Sequence, residues 1–253
     1  MRSRLVSLFV ALGTSGCLPL IVGPNNYMPA GELATRPNGV GLSVELANVL
    51  AAGMPVDLPA EADKNRWFAQ DISGRIGVTD NLAIEGQLKW ASTIPTFVPL
   101  PIGASLGARM GLLQQAKHGV SMDGAVRLVG VSATQELTNN LGGDGTERTK
   151  FKAAGYGAEL QLPVSERAFD WLAFTATPFA RAYVMQGKTT VNDAATEKGH
   201  MTVLGGGLSF SAELKPGGFA IAPAFSMEWL YSPTTKKTTL VSFEPGLALG
   251  GRW

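Results

Sequence analysis

The residues in this sequence whose types could do chemistry are charged side chains placed at every second position of otherwise apolar segments. Residues 82–90 are the clearest case, because Leu, Ile and Trp fall on even positions while Glu85, Gln87 and Lys89 fall on odd ones. Acidic and basic side chains that share one face of a protein segment can form ion pairs or line a path for ions. Seven acids and five bases share this placement: Asp71, Arg75, Glu85, Lys89, Arg109, Asp123, Arg127, Glu159, Arg181, Glu213, Glu228 and Glu244.

The elements that position these charges are β-strands, because a side-chain period of two is the period of a strand. The pattern of residues 82–90 returns about ten times along the chain. Apolar side chains toward lipid and polar ones toward a lumen are the arrangement of a transmembrane barrel. The sequence therefore predicts an all-β fold, an antiparallel up-and-down transmembrane β-barrel of about ten strands. A soluble β-sandwich or a lipocalin-like barrel also alternates, although the latter turns its bulky apolar face inward.

The connections between the predicted strands alternate in length. Short turns on one side and long loops on the other are typical of outer-membrane barrels. The short connections are predicted near residues 79–81, 113–118, 163–168 and 214–218, the long ones near 49–65, 92–103, 133–149 and 187–200, and one of intermediate length near 232–237.

The composition agrees with lipid exposure spread over many strands. Hydrophobic residues make up 45% of the 253 residues and charged residues only 16%, below the roughly 25% of soluble domains. Beyond the first residues, no apolar run approaches the roughly 18 that a membrane helix needs. A net charge of +1 offers no basic field for nucleic acid, so no nucleic-acid partner is predicted.

The first 16 residues have the features of an export signal. Arg2 and Arg4 precede an apolar stretch at residues 5–12, and small residues lead to Cys17. This end resembles a bacterial lipoprotein signal peptide, which implies that Cys17 is lipidated; an ordinary signal peptide with an incidental thiol is the alternative. The predicted organisation is a signal peptide at 1–16, a lipid-anchored tether at 17–37 and a barrel at 38–253.

All five tryptophans fall near predicted strand ends. Indole rings gather at membrane interfaces because the ring is apolar while its N–H group binds water. This pattern predicts Trp67, Trp90 and Trp229 at the outer rim, and Trp171 and Trp253 at the periplasmic rim.

The last strand alternates apolar residues at Val241, Phe243, Leu247 and Leu249 and ends on Trp253. This segment resembles the C-terminal signature of the bacterial outer-membrane β-barrel superfamily. The turn at residues 77–82 likewise resembles periplasmic hairpin turns of such proteins. The resemblance implies an outer-membrane location, outer-membrane lipid around the barrel and recognition by the barrel-assembly machinery.

Two interpretations of the charged lumen stay open. A barrel of about eight strands is just filled by side chains, and water-filled porins have about sixteen or more strands. In a bore of ten strands the charges would pair across the lumen and close it, since unpaired buried charge is costly. The alternative is a narrow channel for ions or small solutes, lined by the same charges.

Catalysis is not predicted, and neither is a metal site or a cofactor. The two histidines, His118 and His200, fall at opposite ends of predicted strands, so an apolar band of about 25 Å would separate them. His200 has Asp193 and Glu197 nearby in the chain, but no general base within hydrogen-bond reach of a nucleophile is evident. The predicted role is that of a structural or accessory envelope protein, whose outer loops contact an envelope partner.

Overall fold

The computed structural model describes residues 40–50, 66–93, 100–140, 146–191, 195–215, 219–234 and 236–252. These residues form eleven β-strands and one helical turn, α1, at Gln115–His118. Within this part of the chain, no helix is long and apolar enough to cross a membrane. The strands are β1 Val40–Leu50, β2 Arg66–Thr79, β3 Leu82–Thr93, β4 Leu100–Leu113, β5 Ser121–Asn140, β6 Thr146–Gln161, β7 Val164–Phe169, β8 Leu172–Val191, β9 Ala195–Leu214, β10 Phe219–Ser232 and β11 Lys237–Arg252.

The strands form a closed antiparallel ring. Successive strands pair from β1 to β6, β6 pairs with β8, and the ladder continues through β9 and β10 to β11. β11 pairs back to β1, with Leu42 opposite Gly251 and Leu46 opposite Leu247. Closure removes the exposed edges that an open sheet would present. The predicted up-and-down β-barrel is therefore confirmed.

β6 and β7 occupy one position in this ring, so eleven strands make a wall of ten positions. Gln161 lies opposite Phe179 and Val164 lies opposite Ala176, which keeps one continuous register along β8. Pro163 interrupts the strand because proline has no N–H to donate. Its carbonyl still accepts a hydrogen bond from the Asp123 N–H at 3.0 Å.

The turn predicted at residues 163–168 is wrong, because residues 164–168 belong to β7, and the chain turns at residues 170–171. Pro163 and the polar residues after it have the composition of a turn. The backbone groups around the proline are nevertheless paired as in a strand, and the Leu162 N–H donates to the Pro178 carbonyl at 3.0 Å. The short turns predicted at 79–81 and 113–118 are confirmed, the latter containing α1.

Side chains alternate between a buried polar interior and an exposed apolar exterior. Glu85 is 5% exposed, whereas its neighbours in the same strand, Ile84 and Leu88, are 49% and 52% exposed. On β5 Arg127 is 3% exposed and Leu128 is 70% exposed. A soluble sandwich or lipocalin-like barrel would bury its bulky apolar side chains, so both alternatives are wrong.

Four neighbouring positions of the wall are longer than the others. β5, β8 and β9 each have 20 residues, and the fourth long position is the one that β6 and β7 share. By contrast, β1 to β4 and β10 have 11 to 14 residues. The strands β5 and β6 stay paired until Asn140 meets Thr146, and β8 and β9 until Val191 meets Ala195. The loops predicted at 133–149 and 187–200 are therefore mostly paired strand. Polar residues replace the apolar alternation there, and without that alternation the sequence pattern is that of a loop.

The end of the barrel with the short turns also holds the start of β1 and the end of β11. Val40 lies opposite Ile76, next to the turn at residues 80–81, and Arg252 lies opposite Gly41. Trp171, 54% exposed, lies in the turn at this end. Trp229, 51% exposed, lies near the opposite end of β10. Both placements agree with the predicted rims.

Several predictions fall outside what the structure describes. These are Cys17 with the whole of residues 1–39, the side chains of Trp67 and Trp90, and Trp253.

Candidate functional site

The predicted lumen charges lie on the inner face of the barrel. Ten of the twelve have described side chains, and all ten are buried. Arg109, Asp71 and Asp123 are 0% exposed, and the rest are at most 6% exposed. Lys89 and Glu244 belong to β3 and β11, and their side chains lie outside the described residues. The ten are Asp71, Arg75, Glu85, Arg109, Asp123, Arg127, Glu159, Arg181, Glu213 and Glu228.

Cross-strand register brings opposite charges together. Arg75 lies opposite Glu85, Arg127 lies opposite Glu159, and Glu159 lies opposite Arg181. Opposite charges placed directly across a ladder stabilise a sheet, whereas like charges destabilise it. Positive and negative side chains therefore alternate along this row of register partners, which runs from β2 to β8.

Gly107 separates the two halves of this row. It lies opposite Glu85 on one side and opposite Arg127 on the other. A Cβ atom at this position would come within 2.7 Å of Arg127 Cγ. Because glycine has no side chain, Arg127 can lie across β4 and reach Glu85 on β3.

Glu85 is the centre of the network. Its Oε1 accepts a hydrogen bond from Arg127 Nε at 2.6 Å. Its Oε2 accepts from Arg109 Nε at 3.0 Å and from Arg75 Nη2 at 3.1 Å. Three guanidinium groups around one carboxylate would repel one another without further acids. Asp123 supplies one, with its Oδ2 3.5 Å from Arg109 Nη1.

A second cluster lies on β6, β8 and β10. Arg181 pairs with Glu228, and its Nη1 lies 3.7 Å from Glu159 Oε1. The Tyr183 hydroxyl donates to the same Glu159 oxygen. Arg127 Nη1 lies 4.0 Å from Glu159 Oε2, so the two clusters are joined. A chain of ion pairs thus runs along the inner face of the wall from β2 to β10.

Gln87 extends this network, and two further polar pairs lie closer to the short turns. Gln87 donates to Asp71 Oδ2 at 2.8 Å, and its Oε1 accepts from Arg127 Nη1 at 3.4 Å. Toward the short-turn end, Glu213 Oε1 lies 3.2 Å from Lys215 Nζ. The Ser165 and Thr175 hydroxyls are 2.9 Å apart at the same end.

Tyr183 is a member of the network that sequence reasoning missed. It is 3% exposed, and its ring packs over Gly157 on β6, where a side chain would collide with it. Aromatic rings that cover a glycine on a neighbouring strand restore the packing that the glycine lacks. An aromatic residue at an odd position of β8 was the available signal, but the partner glycine is visible only once the register is known.

Among the described residues, no group of three or more His, Cys, Asp or Glu side chains could hold a metal ion. His118 lies in α1 at the short-turn end, and His200 lies opposite Gln186 toward the far end of β9. They are not brought together, as the sequence predicts. Asp193 lies outside the described residues.

The geometry has the two properties of a transmembrane barrel of the outer-membrane type. Apolar side chains such as Leu106, 65% exposed, and Leu128, 70% exposed, form a belt on the outside. Polar and charged side chains lie on the inside. An exposed apolar surface of this extent is stable only against lipid or another partner. On this ground we place the protein in the outer membrane.

No protein-family model matches the chain, and no curated protein matches it. Among solved structures, it is similar to Ail, the attachment invasion locus protein of Yersinia pestis, at 12% identity and a TM-score of 0.33, covering 86% of this chain and 100% of that one. It is also similar to the beta domain of the Bordetella autotransporter BrkA, at 12% identity and a TM-score of 0.43, covering 85% of this chain and 99% of that one. A third similar structure is the Pseudomonas putida toluene transporter TodX, at 11% identity and a TM-score of 0.36, covering 96% of this chain and 75% of that one. Each TM-score is below 0.5, so the fold assignment rests on the strand pairing described above.

Proposed function

We propose that this protein is a closed outer-membrane barrel that serves as a structural or accessory protein of the envelope. Its lumen is filled by paired charges rather than by water, and the long strands on one side of the wall carry its contacts. The observation that carries the proposal is the burial of the network, in which Arg109 and Asp123 have no exposed surface at all.

The balance of charges supports a closed lumen. In the joined clusters, four arginines pair with four acids, Glu85, Asp123, Glu159 and Glu228. A conducting pathway needs groups that release a passing ion and stay hydrated. The guanidinium and carboxylate groups in this lumen instead hold each other at 2.6 to 3.1 Å.

The long strands support a role outside the membrane. A strand of 20 residues is about 66 Å long at roughly 3.3 Å per residue. Tilted by about 40°, it rises about 50 Å, twice the roughly 25 Å apolar band of such barrels. The segments β5, β6, β8 and β9 therefore project as a sheet on the side away from the short turns. Rigid elements that project from a scaffold are suited to hold a partner.

The test of the closed lumen is potassium efflux from phosphatidylcholine vesicles that carry the folded protein. Vesicles with and without protein should release potassium at the same rate. Faster efflux that scales with the amount of folded protein would contradict the closed lumen and favour the narrow channel.

The proposal includes a lipid anchor at Cys17, supported by the signal-like residues that precede it. Acylation would tie residues 17–37 to the same membrane as the barrel. Mass spectrometry of the mature protein tests this. An added acyl mass that is lost in Cys17→Ala is expected, and an unmodified Cys17 would contradict the anchor.

A further inference from the structure

Three lysines occupy directly opposed positions on the projecting strands. Lys152 on β6 lies opposite Lys188 on β8, and Lys188 lies opposite Lys198 on β9. Neighbouring strands are about 4.8 Å apart, so the three positions span about 10 Å. Like charges directly opposite each other destabilise a sheet. The lysine row, Lys152–Lys188–Lys198, therefore has an unfavourable arrangement that an anion would relieve.

The row belongs to the outward face of the wall. Lys188 is exposed, as are Gln186 and Val184, which precede it by two and four residues on the same face of β8. On β6 the positions two and four residues from Lys152, Ala154 and Tyr156, are exposed. Strand alternation thus places all three positions on the face that meets lipid lower down.

The height of the row above the apolar belt matches lipid headgroups. Tyr156, 68% exposed, and Val184, 39% exposed, are register partners at the last apolar row of these two strands. The lysine row lies four residues further out, about 13 Å along the strand and about 10 Å in height after tilt. The polar headgroup layer of a bilayer begins where the hydrocarbon ends and is several ångströms thick.

Two acidic residues have register positions near the row. Glu136 on β5 lies opposite Lys150, one pair further from the belt than Lys152. Glu197 lies opposite Thr189 and, by alternation, on the other face. His200, exposed, and Gln186 are register partners one pair closer to the belt and add two groups able to donate hydrogen bonds.

We propose that the lysine row binds the phosphate groups of lipid headgroups in the outer leaflet. Lysine is suited to this because its ammonium is a compact charge on a long, flexible stem. The proposal depends on the membrane placement but not on a closed lumen, so potassium efflux and phosphate-lipid binding can fail separately.

The probe is phosphatidic acid, whose headgroup is a bare phosphate, mixed into phosphatidylcholine vesicles that carry the folded protein. Phosphatidic acid should raise the urea midpoint of the wild type, because a ligand that binds only the folded state stabilises it. In the variant Lys152→Gln/Lys188→Gln/Lys198→Gln, the apparent affinity derived from this shift should fall at least tenfold, since each lysine near an anionic surface contributes about fivefold.

The matched control is Lys117→Gln/Lys236→Gln, which removes two exposed lysines outside the row and should respond like the wild type. In phosphatidylcholine alone, the triple variant should be at least as stable as the wild type, because the repulsion is gone. If the triple variant fails to fold, the single variant Lys188→Gln should show about a fivefold loss.

If phosphatidic acid raised the urea midpoint of the wild type and of the row variants by the same amount, the proposal would be overturned. The proposal would also be overturned if soluble inorganic phosphate raised the urea midpoint of the wild type as much as phosphatidic acid does. The site would then bind a free anion rather than a headgroup.

Discussion

Glu85 and Arg127 are 42 residues apart in the chain, yet Glu85 Oε1 accepts a hydrogen bond from Arg127 Nε at 2.6 Å across an intervening strand. The contact is possible because the residue between them is Gly107. One position without a side chain thereby joins charges from β3 and β5, and Arg127 goes on to meet Glu159 on β6.

A side chain at Gly107 should disrupt this contact. In Gly107→Ala the new methyl group would meet Arg127 Cγ at 2.7 Å and the Val126 backbone carbonyl still closer. We expect a loss of about 1–3 kcal/mol in the free energy of unfolding, the usual cost of overpacking. Urea unfolding in lipid vesicles, followed by tryptophan fluorescence, measures it. Gly130→Ala is the control, because a Cβ there meets nothing within 4 Å, and an equal loss in both variants would contradict the explanation.

Removing the charge of Glu85 should be far more costly than removing that of Glu213. Glu85→Gln leaves Arg75, Arg109 and Arg127 without their shared carboxylate, and an uncompensated buried charge costs about 3–5 kcal/mol. Glu213 pairs with Lys215, which is 16% exposed and can be hydrated when its partner is lost. The same unfolding measurement compares the two variants, and similar losses would show that Glu85 is not the centre of the network.

Tyr183 should contribute through its hydroxyl and its ring separately. Tyr183→Phe leaves the ring over Gly157 but removes the donor to Glu159, which should cost about 1.5–3 kcal/mol because the acceptor is charged and buried. Tyr183→Ala should cost more, since it also leaves the glycine uncovered. Tyr156, which is 68% exposed on the outside, supplies the control Tyr156→Phe, expected to be neutral. A neutral Tyr183→Phe would contradict the role of the hydroxyl.

The side chain of Gln115 holds α1 against the edge of β7. Its Nε2 donates to the Arg167 carbonyl at 3.0 Å, and its Oε1 accepts from the Arg167 N–H at 3.0 Å. The amide group thus pairs with β7 as a neighbouring strand would. Gln115→Ala should lower the free energy of unfolding by about 1–2 kcal/mol. It should also accelerate hydrogen exchange of the Arg167 amide. Gln114→Ala, at an exposed position that makes no capping hydrogen bond, should leave that exchange rate unchanged, and equal rates in all three proteins would contradict the contact.

The strands and the polarity of their faces could be predicted from sequence, because Ile84, Glu85 and their equivalents alternate with a period of two. The partners of the charges could not be predicted. Whether Glu85 lies opposite Gly107 depends on the register of two strands, and shifting it by one residue changes every pair while the alternation within each strand stays the same.

The outer strands and β7 were missed for related reasons. Beyond the apolar belt neither face of a strand has to be apolar, so the segments around Lys152 and Lys188 lack the pattern that marks a strand. Pro163 has the composition of a turn, although the ladder continues around it. In both places the hydrogen bonds to neighbouring strands decide the structure.

The most direct test of the account is single-channel conductance of the folded protein in a planar lipid bilayer. It compares the wild type with Arg127→Ala/Glu159→Ala, a variant that removes one positive and one negative charge from the middle of the network. The closed-lumen account predicts no current steps from the wild type and small steps from the variant, whose shortened side chains leave room for water. Reproducible steps from the wild type with a preference for one sign of ion would contradict it and make the buried charges the lining of a channel.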